Sequence, residues 1–161
     1  MRSKVSLSTY YIIISILGIA IFVGLMLVNL NRGIDWLGYA LAAALVLICG
    51  LSLFFTPLSI SVEDGCLNVN MALRVKSISL IDIKNVSICP PTMAEKRIFG
   101  SGGWFGYWGW FSEPSIGKYM AYYGKASDCF LVRMNNGKQY MLSCNDPLGM
   151  MEYINSAISK H

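Results

Sequence analysis

The densest run of chemically distinctive side chains is Phe99-Gly-Ser-Gly-Gly-Trp-Phe-Gly-Tyr-Trp-Gly-Trp-Phe111, which holds three of the four tryptophans. Indole and phenol rings carry a large apolar surface and one polar handle, so they suit wet interfaces and headgroup layers. The interleaved glycines free the backbone to turn. Three readings follow. The rings pack onto their own domain; or they enter a membrane interface; or they form a docking surface for a protein, where Trp, Tyr and Arg dominate binding. The candidate binding residues are Arg97, Phe99, Trp104, Phe105, Tyr107, Trp108, Trp110 and Phe111. Arg74, Lys76 and Lys96 are candidate contacts for anionic lipid, with solvated surface charge as the simpler account of them.

Other chemistry is poorly provided for. A dinucleotide-type phosphate loop would need a third glycine where Phe105 stands, and no Gly-Lys-Ser/Thr follows. The one histidine is His161, so a histidine triad or histidine metal cluster has no members. Cys49, Cys66, Cys89, Cys129 and Cys144 are odd in number and lack a C-x-x-C spacing, which fits reduced thiols better than a disulfide framework or a zinc site. Asp82 reads as a turn cap, and Glu95, Glu113, Asp128 and Glu152 show no catalytic spacing. No cofactor, metal or enzymatic activity is expected. The net charge of +4 contains no basic run, which argues against nucleic acid.

The elements that must position these residues fall into two regions. No charged residue occurs from Leu7 to Asn31 or from Trp36 to Val62, whereas charge density is ordinary from Glu63 onward. Stretches of about 20 apolar residues match the hydrocarbon thickness of a bilayer. Residues 10–30 and 36–56 are therefore expected to span a membrane as an antiparallel hairpin, joined by the polar turn Asn31-Arg32-Gly33-Ile34-Asp35. Gly18, Gly24 and the alanines 42–44 would allow close helix packing. Arg2 and Lys4 favour a cytoplasmic N-terminus. Two spans then return residues 57–161 to the cytoplasmic side of the cytoplasmic membrane.

After Pro57 the pattern changes to alternation, the mark of half-buried strands. Leu58–Val62 and Leu67–Met71 flank Asp64-Gly65, a hairpin turn. Further strands are expected at 75–80, 86–89, 118–124, 129–134 and 138–143, with residues 90–117 a long irregular stretch. Asn145 or Asp146 caps a final helix whose Leu148, Met151, Ile154 and Ile158 form an apolar stripe. Seven strands and one helix imply an antiparallel barrel or sandwich, with the helix plugging an open end.

This order resembles the bacterial pleckstrin-homology-like domains of small membrane-anchored proteins. The resemblance is carried by the strands 58–80, the segment Ile81–Val86, the run Arg97–Gly103 with Gly106 and Gly109, the Gly137–Tyr140 hairpin and the Asn145-Asp-Pro helix start. It implies a seven-stranded PH-like sandwich capped by a C-terminal helix, and no single activity. The turn Glu63-Asp64-Gly65 is acidic, unlike the cationic first hairpin that phosphoinositide recognition would need. The expected protein is a transmembrane hairpin (residues 1–56) carrying a non-catalytic PH-like binding or scaffold module (residues 57–161). Its expected partners are membrane lipid and a membrane protein or a second copy of the chain. The alternative is a small structural or regulatory subunit of a larger membrane complex.

Overall fold

The computed structural model describes residues 1–32, 35–92 and 94–159. Part of the expected turn at Gly33-Ile34, and His161, lie outside the described residues. The chain opens with a short strand β1 (Arg2–Lys4), then two helices, α1 (Thr9–Asn31) and α2 (Asp35–Phe55). α1 has 23 residues and is long and apolar enough to cross a membrane; the apolar core of α2, Trp36–Ser52, is shorter. The outer faces of both helices are bare, with Ile16 62% and Val46 72% exposed. The helices touch each other where Gly38 leaves room for Leu30, while Gly24 faces open space.

Pro57 starts a β-rich domain: β2 (Pro57–Glu63), β3 (Cys66–Met71), β4 (Val75–Ser79), β5 (Ile83–Ile88), β6 (Lys96–Gly102), β7 (Tyr107–Glu113), β8 (Gly117–Tyr123), β9 (Cys129–Met134), β10 (Gln139–Ser143), then helix α3 (Pro147–Ile158). One sheet has the order β1-β2-β3-β4 and the other β5-β9-β10-β8-β7-β6, with β8 and β10 parallel. Of the expected barrel or sandwich, the two separate sheets correspond to the sandwich and not to a closed barrel, and the expected count of seven strands is corrected: the described residues form ten. Beside β1, the two further extra strands, β6 and β7, escape the sequence pattern for a local reason. Residues 96–113 form a hairpin in which Gly100 opposes Gly109, so apolar alternation is interrupted where the strands lie closest.

The core lies between the sheets. Ile60, Leu67 and Val69 meet Phe130, Val132 and Leu142, all fully buried. At 25 cal/mol per Å², each such side chain contributes about 1.5–3 kcal/mol. Asp64 and Gly65 both have positive φ (51° and 71°), the geometry that a two-residue hairpin turn requires. Asp146 caps α3 by accepting from the Gly149 N–H at 3.0 Å. Of the expected stripe on α3, Ile154 is buried and Met151 and Ile158 pack against the core, joined by Met150, whereas Leu148 is 59% exposed. Instead of plugging a barrel end, α3 lies along β5. Its Asn155 side chain accepts from Val86 N–H at 3.2 Å and donates to Val86 carbonyl at 3.0 Å. That closes a sheet edge that would otherwise offer free backbone groups.

β1 pairs with β2 in antiparallel register, Ser3 opposite Ile60. Arg2 and Lys4, read from sequence as flanking charges, are therefore part of a sheet. The Ser8 N–H donates to Gly124 carbonyl and Ser6 Oγ to Asn145. The helices thus leave and re-enter the domain at one end, with both feet fastened to it.

Candidate functional site

The glycine–aromatic segment is the β6–β7 hairpin, and its tip reaches the feet of the helices. Phe105 sits at the tip with φ of 54°, a conformation bulky residues avoid. Two helix hydroxyls hold it there. The Phe105 N–H donates to Ser15 Oγ of α1 at 3.0 Å, and Thr56 Oγ1, just past α2, donates to its carbonyl at 3.0 Å. Ser15 and Thr56 are buried, so these bonds operate away from water, where an unmade bond costs about 1–3 kcal/mol. Trp104 lays its ring against Gly18, where a Cβ would collide with it. Trp108 stacks on Phe55 of α2 at 4.6 Å between centroids, a geometry worth about 0.5–1.5 kcal/mol beyond buried area. Tyr11 of α1 donates to the Tyr107 hydroxyl at 3.1 Å. Burial, and then this bond, hold the Tyr107 pKa well above the ordinary phenol range.

The candidate binding residues therefore divide. Trp104, Phe105, Tyr107 and Trp108 clasp this chain's own helices. Phe111 is 2% exposed and belongs to a second apolar cluster with Tyr119, Tyr123 and Cys129, so its assignment to a binding surface is corrected. Phe99 and Trp110 form a cross-strand pair and are exposed (72% and 43%). Arg97 stands beside the clasp, with no hydrogen bond or ion pair among the described residues. The indole N–H groups of Trp104 and Trp108 are buried without an acceptor.

Trp110 opens onto a groove of about 150 Å³ where β4 faces β8 and β10. Arg74 and Lys76 border it from one sheet, and Lys138, Tyr122 and Tyr140 from the other. Among the described residues no acid lines this groove. The Arg74 guanidinium also lies 5.7 Å from the Phe54 ring, at the foot of α2. Burial pushes the Tyr122 phenol up despite the opposing charge of Arg74, so it remains a neutral donor. Lys138 was missed from sequence because it follows the Asn135-Asn136-Gly137 turn, more than sixty residues from Arg74; only the packing of the two sheets joins them. Lys96 is exposed at the start of β6 and borders neither this groove nor the clasp.

Two acids, Glu113 and Glu95, are structural clasps. Glu113, 2% exposed, accepts from Thr92 Oγ1 at 2.6 Å and Ser115 Oγ at 3.1 Å. Glu95 accepts from the Tyr119 and Tyr123 hydroxyls at 2.5 and 2.8 Å. Thr92 and Glu95 are thereby tied beside the second apolar cluster. Burial raises the Glu95 pKa, against the lowering effect of the two phenol donors. The folded chain then holds this proton more tightly than the unfolded chain. The resulting stabilisation is full below about pH 4 and is lost as pH rises through the folded-state pKa. Glu95→Gln is accordingly expected to gain stability relative to the parent between pH 4 and pH 7. Denaturant midpoints of both chains across that range check the sign; parallel curves would refute it.

Burial is also the first cause that raises the thiol pKa of Cys89, Cys129 and Cys144. Thiols so shifted are poor nucleophiles. All five cysteines are free, and no grouping among the described residues could hold a metal ion.

Comparison with curated proteins and with solved structures finds no match. A family model described as Bacterial PH domain matches residues 58–158, the stretch from β2 to the end of α3. With its paired sheets, its edge-covering terminal helix and that match over well over half its length, the chain belongs to the bacterial PH domain family.

Proposed function

We propose that this protein is a non-catalytic, membrane-anchored binding module whose PH-like domain contacts anionic headgroups at the cytoplasmic face of the membrane. Bacterial PH-like domains are in general binding modules and not catalysts. The observation that carries the reading is the groove of Arg74, Lys76 and Lys138 beside the foot of α2. Three cations without an acid, bordered by Trp110, Tyr122 and Tyr140, suit a phosphate-bearing group. Cations recognise it by charge-assisted bonds and aromatics cover its apolar edge.

Anchoring is the second part of the proposal. The bare apolar faces of α1 and α2 are far larger than a soluble monomer tolerates. A two-span hairpin is supported by the pairing of β1 with β2, since both feet then lie on one side. The division into a hairpin, residues 1–56, and a domain, residues 57–161, follows the same logic. The clasp then fixes the groove at headgroup height without a flexible linker, which removes most of the ordering cost of each encounter.

The test uses the full chain in neutral phosphatidylcholine nanodiscs, titrated with inositol hexakisphosphate as a soluble clustered-phosphate probe. Saturable binding is expected, and Arg74→Ala combined with Lys76→Ala and Lys138→Ala should weaken it at least about tenfold, roughly 1.4 kcal/mol. Unchanged affinity in the triple variant would sink the headgroup reading.

A protein partner is the second reading, favoured by one feature. β6 is a sheet edge whose Ile98 and Phe99 are exposed (54% and 72%). Such an edge accepts an added strand, as a subunit of a larger membrane complex would use it.

A further inference from the structure

Two furrows run from the β6–β7 hairpin onto the helices, both bordered by Trp104. The furrow along α2, about 230 Å³, is bordered by Ile48 and Leu51; the one along α1, about 420 Å³, by Tyr10 and Ile14. Both are also bordered by Arg97, Ser101 and Trp104. The helix residues lie up to two turns from the feet, so each furrow continues into the apolar zone. At the head of both stands one guanidinium without a counter-charge.

We propose that this seam seats one anionic phospholipid, with its phosphate on Arg97 and its two acyl chains along α1 and α2. The seat rests on the membrane position proposed above and is separate from the Arg74 groove, with which it shares no residue. Three observations carry it. Arg97 is exposed and has no hydrogen bond or ion pair among the described residues, so its donors are free to take a phosphate in bidentate fashion. The two buried indole N–H groups without acceptors belong to Trp104 and Trp108, both bordering the α2 furrow; a shift of either ring toward the furrow brings its N–H onto a phosphate or ester oxygen. The two furrows converge on one cation, which fits a molecule with one phosphate and two chains. Among the described residues no Asp or Glu borders either furrow to hold a headgroup ammonium, so a net-anionic lipid is favoured over a zwitterionic one.

The full chain, purified in a neutral maltoside detergent, is incubated with phosphatidylglycerol, with phosphatidylcholine, or with glycerol 3-phosphate. Lipid retained is counted by native mass spectrometry. One retained phosphatidylglycerol per chain is expected, with retention falling at least about tenfold in Arg97→Ala and Arg97→Gln, the loss of one charge-assisted contact. Retention should be unchanged in Arg74→Ala/Lys76→Ala/Lys138→Ala, which separates this seat from the headgroup groove. Thermal unfolding of each variant in detergent alone identifies any that fail to fold; Arg97→Gln keeps the side-chain stem and tests the charge alone. Equal retention by the parent and a folded Arg97→Gln would overturn the proposal. Equal retention of phosphatidylcholine would overturn the anionic preference, and saturation by glycerol 3-phosphate would overturn the acyl-chain furrows. Resistance of the chain to alkaline extraction from membranes tests the membrane position itself. A chain that is extracted would remove the premise, whereas a chain that stays in the membrane yet retains no lipid removes only the seat.

Discussion

Gly109→Ala and Gly100→Ala are each expected to unfold the β6–β7 hairpin and to cost the protein at least about 3 kcal/mol. Both glycines have φ near the middle of the positive range, 124° and 120°. Only glycine adopts that region readily, and an L-residue there costs about 1–3 kcal/mol before any contact is considered. Sterics add to this. The two residues face each other across the hairpin, and a Cβ on either would strike the opposite backbone: the Phe99 carbonyl for Gly109, the Trp108 carbonyl for Gly100. Backbone cannot step aside as a flexible side chain can. Denaturation of the full chain in detergent, followed by tryptophan emission, reads the loss. A midpoint within experimental error of the parent for Gly109→Ala would show that the strands can separate without cost. Gly50→Ala is the matched control, since nothing lies within 4 Å of its Cβ position.

The second large effect concerns docking. Gly18→Val should push the Trp104 ring off α1 and cost about 1–3 kcal/mol, the usual range for forcing bulk into a filled contact. Trp104→Ala removes the ring and should cost a similar amount, about 2–3 kcal/mol for a half-buried indole. The two losses should not add. Once the ring is absent the valine has nothing to displace, so the double variant should be more stable than the sum of the singles by at least about 1 kcal/mol. Strict additivity would mean that Trp104 does not rest on Gly18. Because the Phe105 backbone is bonded to both Ser15 and Thr56, an undocked hairpin should also become cleavable by protease near Trp104.

These two predictions concern the part of the molecule that was hardest to foresee. The apolar segments, the Asp64-Gly65 hairpin, the Asn135–Gly137 turn and the Asp146 cap were all legible, because each depends on residues within a few positions of one another. Residues 90–117 were read as irregular because glycines stand where strand residues would alternate. The glycines are there to let two strands approach backbone to backbone, a fact about the partner strand that local pattern does not carry. Phe111 and Trp110 are neighbours in an aromatic run, yet one is core and the other borders the groove. Their opposite faces follow from strand geometry, which becomes readable only once β7 is known to be a strand.

The helix glycines carry the same lesson. Small residues in an apolar helix announce close contact but not its partner. Gly38 admits Leu30 of the neighbouring helix, Gly18 admits a tryptophan from a hairpin 86 positions away, and Gly24 admits nothing among the described residues. Likewise Arg2 and Lys4 looked like charges flanking a span. Their backbone pairs with β2 because the helices bring the two segments back together.

What the sequence determined by itself was a PH-like domain following two apolar segments, along with most of the strands and the terminal helix. Those properties follow from hydrophobic period and turn chemistry, which act over a few residues. Only the tertiary structure decided where the aromatic segment goes, which cations share a groove, and that the domain is clasped to its own helices. Each of these depends on contacts between residues from about sixty to ninety positions apart, such as Arg74 with Lys138 or Phe105 with Ser15. Such contacts are selected by the shape and hydrogen-bonding needs of surfaces that exist only after the sheets have formed.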